Sequence, residues 1–500
     1  MFFSHGDLLC VVLALVGLVR ALGDAEAVGF APLLWNMTGK WKRANKEVYL
    51  ITSSPKGKLE RHQIRRHDEN MFCTLPTLWQ KAETVDAIKA GKKIGNMETM
   101  GTVYNNAILM ELSNRSQHMV KGVYKLPLSK QNMVIAKLHD HILVTWRERD
   151  GHRKDQTGVA WLHCVPPANN NTLAGCNWSR SLSHPKQIGA SGRVMFDAPK
   201  LTSETNAQAL DRKLYGEDMR ILRRVDGSLV ANWCVNNVAG QFIQFFYAPM
   251  HVKHKKDNSS ANELVVKAPI HRITMDRELP PGDQKNWPMF EYGDKSSSTK
   301  TLLFVESIQP LRIIVPQKAH ALSPLTPKGA TTRHVVDYGH SVSLTEATDF
   351  CWPWGAVRGG TPLYLINGEY LGFFHTKTTL GSRLVSTYVM GAYTLTAKPP
   401  FELKAMSRFP LMPRGLLFGE WTYPRMDFVL FPMSFEYDPT DGKKGTIYLS
   451  LGRNEREGWV VSLDYGALKA SLRQVSSKVI AESQWKNGAP IPETFEYKAN

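Results

Sequence analysis

Short runs of alternating apolar and polar residues, separated by turn residues, fill most of the chain from about residue 130 onward. Alternation with a period of two is typical of β-strands that bury one face. The pairs Asp226-Gly227 and Asn367-Gly368 stand between such runs and predict tight hairpin turns. Long stretches with the 3.6-residue period of an amphipathic helix are scarce in the same part of the chain. The pattern therefore predicts an all-β protein built from hairpins.

The hairpin units recur along the chain at nearly regular intervals. They begin near residues 131, 218, 286, 361 and 427, and the intervals of roughly 65 to 90 residues suit one propeller blade each. Five similar units favour a radial repeat, and we expect a five-bladed β-propeller. Two β-sandwiches in tandem are the alternative, since one sandwich needs only about 100 residues.

The pattern divides the chain into four segments. The segment before the propeller mixes tryptophans with charged runs, and it is either an extension packed on the propeller or a small separate module. The last segment predicts one helix followed by a tail. The predicted segments are a signal peptide or signal anchor at 1–27, an N-terminal extension at 28–125, the five-bladed β-propeller at 126–470 and a short C-terminal helical tail at 471–500.

The first apolar run points to the secretory pathway. Residues 8–19 carry no charge and are followed by Arg20 and by small residues suited to cleavage. A membrane-spanning helix needs about 20 apolar residues, so the run fits a signal peptide, with an uncleaved type II anchor as the alternative. Sequons for N-glycosylation agree with passage through the ER and Golgi lumen or with secretion. They lie at Asn36, Asn114, Asn170, Asn177 and Asn258.

Composition and charge exclude several classes of protein. With 43% hydrophobic and 21% charged residues the chain is globular, not disordered or fibrous. The net charge of +17 would attract nucleic acid, an anionic membrane or phosphorylated small molecules. The basic residues are scattered, however, and the densest cluster, at 253–256, fits a solvated loop. No nucleic-acid-binding signature occurs, so we expect no nucleic-acid partner.

Cysteine spacing predicts one disulfide and no metal site. Cys164 and Cys176 bracket a polar loop and are suited to pair, whereas the other pairings cannot be deduced from sequence. No CxxC or Cys/His arrangement predicts a metal site, and we expect no cofactor. The sequence also contains no glycine-rich phosphate loop and no hydrolase triad motif.

Several hairpin starts resemble motifs of one enzyme family, the five-bladed β-propeller β-mannoside phosphorylases and their mannosyltransferase relatives (glycoside hydrolase family 130-like). The motifs are WRERD at 146–150, GEDMRI at 216–221, QKNWPMF at 284–290, RGGTPLYLINGEYLGFFH at 358–375 and FPMSFEYD…GTIYLSLGRNEREGWVVSLDYGAL at 431–468. They stand in the order of the family and cover about residues 130–466. With the secretory leader, the resemblance implies a eukaryotic transferase branch.

The chain also departs from the family pattern. Met219 stands where the family has a proline, the GGTPL stretch lacks a second proline, and residues 28–125 have no counterpart. These departures bear on the substrate and the reaction more than on the fold.

The resemblance implies a site where the starts of the blades meet around the propeller axis. It implies that Asp218 is the general acid, acting on a glycosidic or leaving-group oxygen directly or through a sugar hydroxyl. It implies sugar-binding roles for Arg147, Glu217, Arg220, Asn286 and Glu455. It implies phosphate- or donor-binding roles for Lys285, Arg358 and His375.

Each of these residues also has a structural interpretation when it is taken alone. Glu217 and Asp218 suit a turn or a salt bridge, Glu455 suits a surface turn, and His375 on an apolar strand suits a hydrogen-bonded core histidine. The nearby tryptophans suit either stacking on a sugar or filling the core. They are Trp146, Trp287, Trp352 and Trp354.

Three functions follow from this interpretation. The leading one is a secretory-pathway glycosyltransferase that moves mannose from a sugar-nucleotide or sugar-phosphate donor to an oligosaccharide or glycoprotein glycan, with inversion. The second is a β-mannoside phosphorylase or an inverting hydrolase, and the third is a glycan-binding propeller without turnover. A hydrolase needs a second carboxylate opposite Asp218, whereas cationic side chains there favour a phosphate or nucleotide donor.

Overall fold

A computed structural model describes a large part of the chain. The described residues are 40–44, 47–53, 59–63, 113, 115–126, 131–138, 141–149, 155–166, 176–196, 217–236, 243–253, 262–267, 269–275, 286–293, 300–318, 334–350, 352, 356–378, 387–416, 428–441, 444–454 and 456–479. Contacts divide the chain into two compact units, one of residues 1–111 and 379–385 and one of residues 112–378 and 386–500.

In the first unit the described residues form one antiparallel sheet. Its strands are β1 (Lys40–Ala44), β2 (Glu47–Ser53) and β3 (Leu59–Gln63), in that order across the sheet. They fall within the predicted N-terminal extension. The predicted leader at 1–27 lies outside the described residues.

The described part of the second unit contains five groups of antiparallel strands, named here group 1 to group 5. Group 1 is β5 (Gln131–Leu138), β6 (His141–Arg149), β7 (Asp155–His163) and β8 (Gln187–Arg193). Group 2 is β10 (Glu217–Arg223), β11 (Leu229–Asn236), β12 (Ile243–Lys253) and β13 (Glu263–Val266). Group 3 is β15 (Met289–Tyr292), β16 (Thr301–Ile308), β17 (Leu311–Lys318) and β18 (His334–Ala347).

Group 4 has one strand more than groups 1 to 3, and group 5 has four strands, one of which comes from an earlier part of the sequence. Group 4 is β19 (Ala356–Gly359) and β20 (Tyr364–Ile366), both paired with β21 (Glu369–Thr378), then β22 (Thr387–Thr396) and β23 (Leu403–Ser407). Group 5 is β24 (Phe428–Asp438), β25 (Thr446–Arg453), β26 (Glu457–Asp464) and β4 (Val120–Lys125). Thus β4, from far earlier in the sequence, completes group 5 by pairing with β26.

Further strands link neighbouring groups. The strand β14 (Ile270–Met275) pairs with both β12 and β18 and so joins groups 2 and 3. The short strand β9 (Met195–Phe196) pairs with β13 of group 2. Groups 4 and 5 share a parallel contact between β22 and β24.

The predicted hairpins are confirmed at both turn signals. Strands β10 and β11 reverse at Asp226-Gly227, where Gly227 has a φ of 83°. Strands β20 and β21 reverse at Asn367-Gly368, with φ values of 50° and 83°. These left-handed angles are those that asparagine and glycine tolerate in tight turns. The fold of the described residues is predominantly β, as predicted.

The core lies between and within the strand groups, on the alternating apolar faces that the sequence predicts. Trp146, Trp287 and Trp352 are buried among apolar neighbours, and Trp287 stacks on Phe245 with ring centroids 4.0 Å apart. Burying a large apolar side chain stabilises a protein by roughly 1.5–3 kcal/mol. These three tryptophans therefore fill the core, and Trp354 lies outside the described residues.

The first strands of groups 1, 2 and 5 lie against one another. The Ser434 hydroxyl on β24 bonds to both the backbone N–H and the carbonyl of Ile135 on β5. The buried Glu436 carboxylate accepts the Lys137 backbone N–H at 2.9 Å and pairs with Arg223 of β10 at 2.8 Å. The Glu436 charge raises the pKa of Arg223. The buried Glu436 of β24 thus contacts both β5 and β10, which are far from it in the sequence.

Groups 2, 3 and 4 also meet, through β11, β15 with the residues before it, and the segment between β19 and β20. The Asn232 side chain donates to the Trp287 carbonyl at 2.7 Å, which joins group 2 to the entry of group 3. The Leu363 backbone N–H donates to the Met289 carbonyl at 3.0 Å, which joins group 4 to group 3. Residues at the starts of different groups are therefore neighbours in space.

The predicted disulfide is confirmed. Cys164 and Cys176 are bonded, and the intervening loop leads to the short helix α1 (Trp178–Ser183). Asn177 is the N-cap of α1, and its side-chain oxygen accepts the Arg180 backbone N–H at 3.0 Å. The other sequon asparagines lie outside the described residues.

The predicted C-terminal helix is wrong in the part that the structure describes. A helix, α2 (Tyr465–Ser471), ends where the predicted one begins. It is followed by β27 (Leu472–Gln474) on β23 and β28 (Ser477–Val479) on β18. Pairing with these exposed sheet edges, together with burial of Leu472 and Val475, outweighs the local helix propensity. Residues 480–500 lie outside the described residues.

Within the described ranges, none of the helices has the length and apolar character that crossing a bilayer requires.

Candidate functional site

Three groups begin with a residue in the left-handed backbone conformation. Asn132 in group 1 has a φ of 47°, Asp218 in group 2 a φ of 56°, and Asn286 before group 3 a φ of 71°. The strand register shifts beside the first two, between Gln131 and Val134 and between Glu217 and Arg220. Asparagine and aspartate tolerate this conformation better than other residues with side chains, although it costs energy. Such local strain is typical of functional sites.

The Asp218 carboxylate is buried between groups 1 and 2, with 8% of the residue exposed. Its Oδ1 accepts a hydrogen bond from Asn132 Nδ2 at 2.5 Å. The guanidinium of Arg147, on β6, lies 3.5 Å from the same oxygen. Because one carboxylate oxygen takes both of these contacts, the orientation of Asp218 is fixed by group 1.

Arg220 connects Asp218 to groups 3 and 4. This side chain is 1% exposed. Its Nη1 donates to the Asp218 carbonyl at 2.9 Å and to Asn286 Oδ1 at 2.6 Å, and its Nε donates to the Gly360 carbonyl. Burial lowers the pKa of Arg220, and the neighbouring Asp218 charge opposes that effect. Its Nη2 is buried without a hydrogen-bond partner among the described residues.

His375 lies on the group 4 side of the cluster, opposite Arg358 in the β19–β21 pair. Burial, followed by the positive charges of Arg358 and Arg220, holds the pKa of His375 well below its usual value, and a backbone hydrogen bond at Gly359 works the other way. The imidazole is therefore neutral at neutral pH. Its Nδ1 is buried without a hydrogen-bond partner among the described residues, so His375 is not the fully hydrogen-bonded core histidine of the structural interpretation.

Gly359 and Gly360 allow close backbone contacts at the start of group 4. A Cβ atom on Gly359 would lie 2.0 Å from the Asn286 carbonyl oxygen, and one on Gly360 would lie 2.3 Å from the Phe373 carbonyl oxygen. Both obstacles are backbone atoms, which cannot swing away as a flexible side chain does. The Gly-Gly pair therefore brings Arg358 and His375 next to Arg220.

Phe431 of group 5 packs against both His375 and Arg220. Its ring centroid lies 4.3 Å from that of His375 and 5.5 Å from the Arg220 guanidinium carbon. The second contact is a cation–π interaction, which is strengthened by the exclusion of water. Group 5 therefore contributes an apolar wall against a histidine and an arginine.

The structure brings most of the predicted site residues together. Asp218, Arg147, Arg220, Asn286, Arg358 and His375 form one connected cluster drawn from groups 1 to 4. Glu217 is the first residue of β10, but its side chain lies outside the described residues, as do Lys285 and Glu455. In the contacts described above, Asp218 supplies the single carboxylate.

The sequence reasoning missed Asn132 and Phe431. A signal for Asn132 was present, because Asn132-Met133 and Asp218-Met219 occupy matching places at the starts of groups 1 and 2. Phe431 lies within a quoted motif, but its place against Arg220 depends on contacts between distant strands. The described residues contain no group of three or more His, Cys, Asp or Glu side chains arranged to hold a metal ion.

No protein-family profile matches the chain, and no curated protein matches its sequence. Solved structures do resemble it. The GDP-Man-dependent mannosyltransferase MPT-1 of Leishmania mexicana aligns with 10% identity and a TM-score of 0.37 over 71% of this chain and 93% of that one. The mannose phosphorylase MPT-4 of Leishmania mexicana, in complex with a phosphate ion, aligns with 10% identity and a TM-score of 0.36 over 73% and 96%.

A third similar structure is the α-L-arabinofuranosidase of Lactobacillus brevis, with 12% identity and a TM-score of 0.34 over 68% of this chain and 92% of that one. Identities and TM-scores this low assign no activity to the chain.

Proposed function

We propose that this protein is a carbohydrate-active enzyme of the secretory pathway. It transfers mannose, with inversion, from a nucleotide or phosphate donor to an oligosaccharide or glycoprotein glycan. Groups 1 to 5 are the blades of a five-bladed β-propeller, and the cluster around Asp218 is its active site. The observation that carries the proposal is Asp218 itself, a buried carboxylate in a left-handed conformation, held by Asn132 and Arg147.

Asp218 acts as the acid/base of the reaction. A general acid must lie within hydrogen-bond reach of the oxygen that it protonates, either directly or through one intervening group. The carboxylate is held through Oδ1 by Asn132 and Arg147, and we assign the proton transfer to Oδ2. In the transfer direction the Asp218 carboxylate accepts the proton of the acceptor hydroxyl, directly or through a sugar hydroxyl that relays it. The acceptor oxygen attacks the sugar carbon on the face opposite the nucleotide or phosphate, which leaves as an anion with the electron pair of the broken bond, and the configuration is inverted. In phosphorolysis the protonated Asp218 returns the proton to the glycosidic oxygen while phosphate attacks.

The cationic side chains hold the anionic part of the donor. Arginine binds phosphate oxygens through paired N–H groups, and Arg358, the register partner of His375, is the arginine on the donor side. Arg220, on the sugar side, lies close enough to His375 for its charge to lower the histidine pKa as well. Lys285, next to Asn286 in sequence, belongs to the same donor side by the family resemblance. His375 is neutral, so it contributes through hydrogen bonding and not through charge. The buried Arg220 Nη2 and His375 Nδ1 support a ligand here, because buried polar atoms in proteins are seldom left unpaired.

A β-mannoside phosphorylase is the second candidate, and the same cations favour it over a hydrolase. Inverting hydrolysis uses a second carboxylate, about 6.5–9.5 Å from the acid, to activate water. In the described part of the chain Asp218 contacts Asn132, Arg147 and Arg220, and the side chains of Glu217 and Glu455 lie outside the described residues. Inorganic phosphate, unlike water, needs no base but needs cations to bind it.

The secretory location is supported by two separate features. Disulfides persist in oxidising compartments, and Cys164 is bonded to Cys176. The apolar run at 8–19 suits a leader for the same route.

One experiment separates the candidates. The full chain is incubated with mannosides and, separately, with GDP-mannose, mannose 1-phosphate or inorganic phosphate. Release of GDP with a lengthened mannoside supports the transferase. Consumption of phosphate with formation of mannose 1-phosphate supports the phosphorylase, and free mannose from water alone supports a hydrolase. Binding of mannosides without any turnover would contradict the proposal and leave a glycan-binding propeller.

A further inference from the structure

Asn132, which donates to the Asp218 carboxylate, lies directly against a glycine of group 5. Gly452 lies on β25, and a Cβ atom there would lie 2.7 Å from Asn132 Oδ1 and 3.0 Å from the Asn132 backbone nitrogen. Real Cβ contacts are not that short, so Asn132 occupies this place only because residue 452 has no side chain. Through Asn132, the backbone of group 5 thus reaches the carboxylate of group 2.

We propose that Asn132 and Gly452 are positioning residues for Asp218, an inference that rests on the proposed function of Asp218 as the acid. Asn132 is buried and has a φ of 47°, and the amide that donates to Asp218 is the same group that lies against Gly452. Any side chain at 452 displaces this amide. Asp218 then loses a hydrogen bond to its ionised form and its fixed orientation toward the reacting oxygen.

Gly458 provides a matched control. It is the register partner of Gly452 across the β25–β26 pair. A Cβ atom on Gly458 would lie 2.7 Å from Met133 Sδ, and so it would press on the residue next to Asn132 in sequence. Methionine is flexible and adapts to such contacts, and Met133 takes no part in the site. Gly458→Ala therefore adds the same methyl group without touching Asn132.

The first test compares steady-state kinetics of the full chain with the donor that the wild-type protein uses. Gly452→Ala is expected to lower kcat by on the order of tenfold to a hundredfold, the loss typical of a small misplacement of a catalytic group. KM is expected to stay within about twofold, because substrate contacts are retained. Gly458→Ala is expected to keep wild-type kcat. Equal losses in the two variants would mean general packing damage and would overturn the inference.

A double variant asks whether Gly452 acts through Asn132. Asn132→Gly keeps the left-handed backbone and removes the amide, so it is expected to lower kcat about as much as Gly452→Ala does. Adding Gly452→Ala to Asn132→Gly is expected to change kcat by less than about twofold, since residues that act in one chain are not additive. A further loss of the full size would show that Gly452 acts by another route.

Crystal structures of the two glycine variants decide the inference without any assay. The Asp218 carboxylate is expected to be displaced in Gly452→Ala and to keep its place in Gly458→Ala. An unmoved carboxylate in Gly452→Ala would overturn the inference even if the enzyme is active. A wild-type protein that shows no turnover with GDP-mannose, mannose 1-phosphate or inorganic phosphate would refute the proposed function. The displacement of the carboxylate in the crystal structures would still test the positioning.

Discussion

At position 218 the backbone conformation and the side-chain contacts each limit which amino acid can be accommodated. The φ of 56° favours asparagine, aspartate or glycine. The positive charge of the Arg147 guanidinium, 3.5 Å from Oδ1, favours an ionised carboxylate over a neutral amide. Aspartate is the residue that satisfies both requirements, which is why an ordinary Glu-Asp pair in the sequence gains significance from its conformation.

Asp218→Asn is expected to remove sugar transfer and to keep the fold. The amide suits the left-handed backbone, but it cannot give up a proton, so kcat is expected to fall by about 10²–10⁴. The measurement is turnover of the donor, with thermal unfolding as the control for folding. Full activity in a folded Asp218→Asn protein would exclude Asp218 from the mechanism.

Because the pKa of His375 is lowered in the folded protein, the free energy of unfolding is expected to fall as the pH is lowered. Below the ordinary histidine pKa of about 6.5 the unfolded chain binds more protons than the folded one. His375 therefore leaves the free energy of unfolding unchanged above that pH. Below it, the free energy of unfolding falls as the pH decreases, by up to about 1.4 kcal/mol per pH unit for this one group.

His375→Gln removes that proton uptake, so the variant is expected to lose less stability than the wild type between pH 7 and pH 5. Urea unfolding of both proteins at the two pH values measures the difference. The same loss in both proteins would mean that His375 is protonated in the folded state, contrary to its burial beside two arginines.

Among the elements, β19 depends on glycine most clearly. The strand ends at Gly359, which faces the Asn286 carbonyl at a distance that leaves no room for a Cβ atom. Because Arg358 and His375 are register partners on β19 and β21, a displaced β19 also carries Arg358 away from Arg220.

Gly359→Ala is expected to lower stability by about 1–3 kcal/mol, the usual cost of overpacking, and to raise KM for the donor more than KM for the acceptor. Gly192→Ala on β8 is the control, since its Cβ atom would meet Val159 at an ordinary 3.7 Å. Chemical denaturation and donor kinetics measure the two effects. A Gly359→Ala protein as stable as the control would show that β19 can shift at no cost.

Some elements of the fold could be predicted from the sequence, and others could not. Alternation and the Asp-Gly and Asn-Gly pairs predicted the hairpins, because these signals are local. The motifs predicted a set of site residues, six of which the structure places in one cluster, and their roles stay a prediction. Gly452 and Phe431 could not be found in this way, because their role depends on contact with Asn132, Arg220 and His375. The helix expected after Ser471 failed for the same reason, since the strand partners of Leu472 are far away in sequence.

In the second unit, group 5 combines strands from the two ends of the unit's sequence. Three of its strands come from the end of the described chain, and the fourth, β4, comes from before group 1. Lys121 of β4 also pairs with Asp441 at 3.0 Å, beyond β24. The two ends of the unit are thereby joined within one sheet, which limits their fraying.

Removal of residues 1–111 and removal of residues 1–126 are expected to differ sharply. The shorter deletion keeps β4, so its thermal unfolding midpoint is expected to stay near that of the full chain. The longer one leaves β26 as an open edge and is expected to lower the midpoint and to favour aggregation. Calorimetry and light scattering distinguish them, and equal midpoints would show that β4 adds nothing to the unit.

The left-handed backbone at position 218 has a consequence for comparing this sequence with others. A descendant that loses turnover by drift, but still folds, can replace the aspartate most easily by asparagine or glycine. That single position would then separate working enzymes from pseudoenzymes in any set of related genes, even where the rest of the strand has diverged.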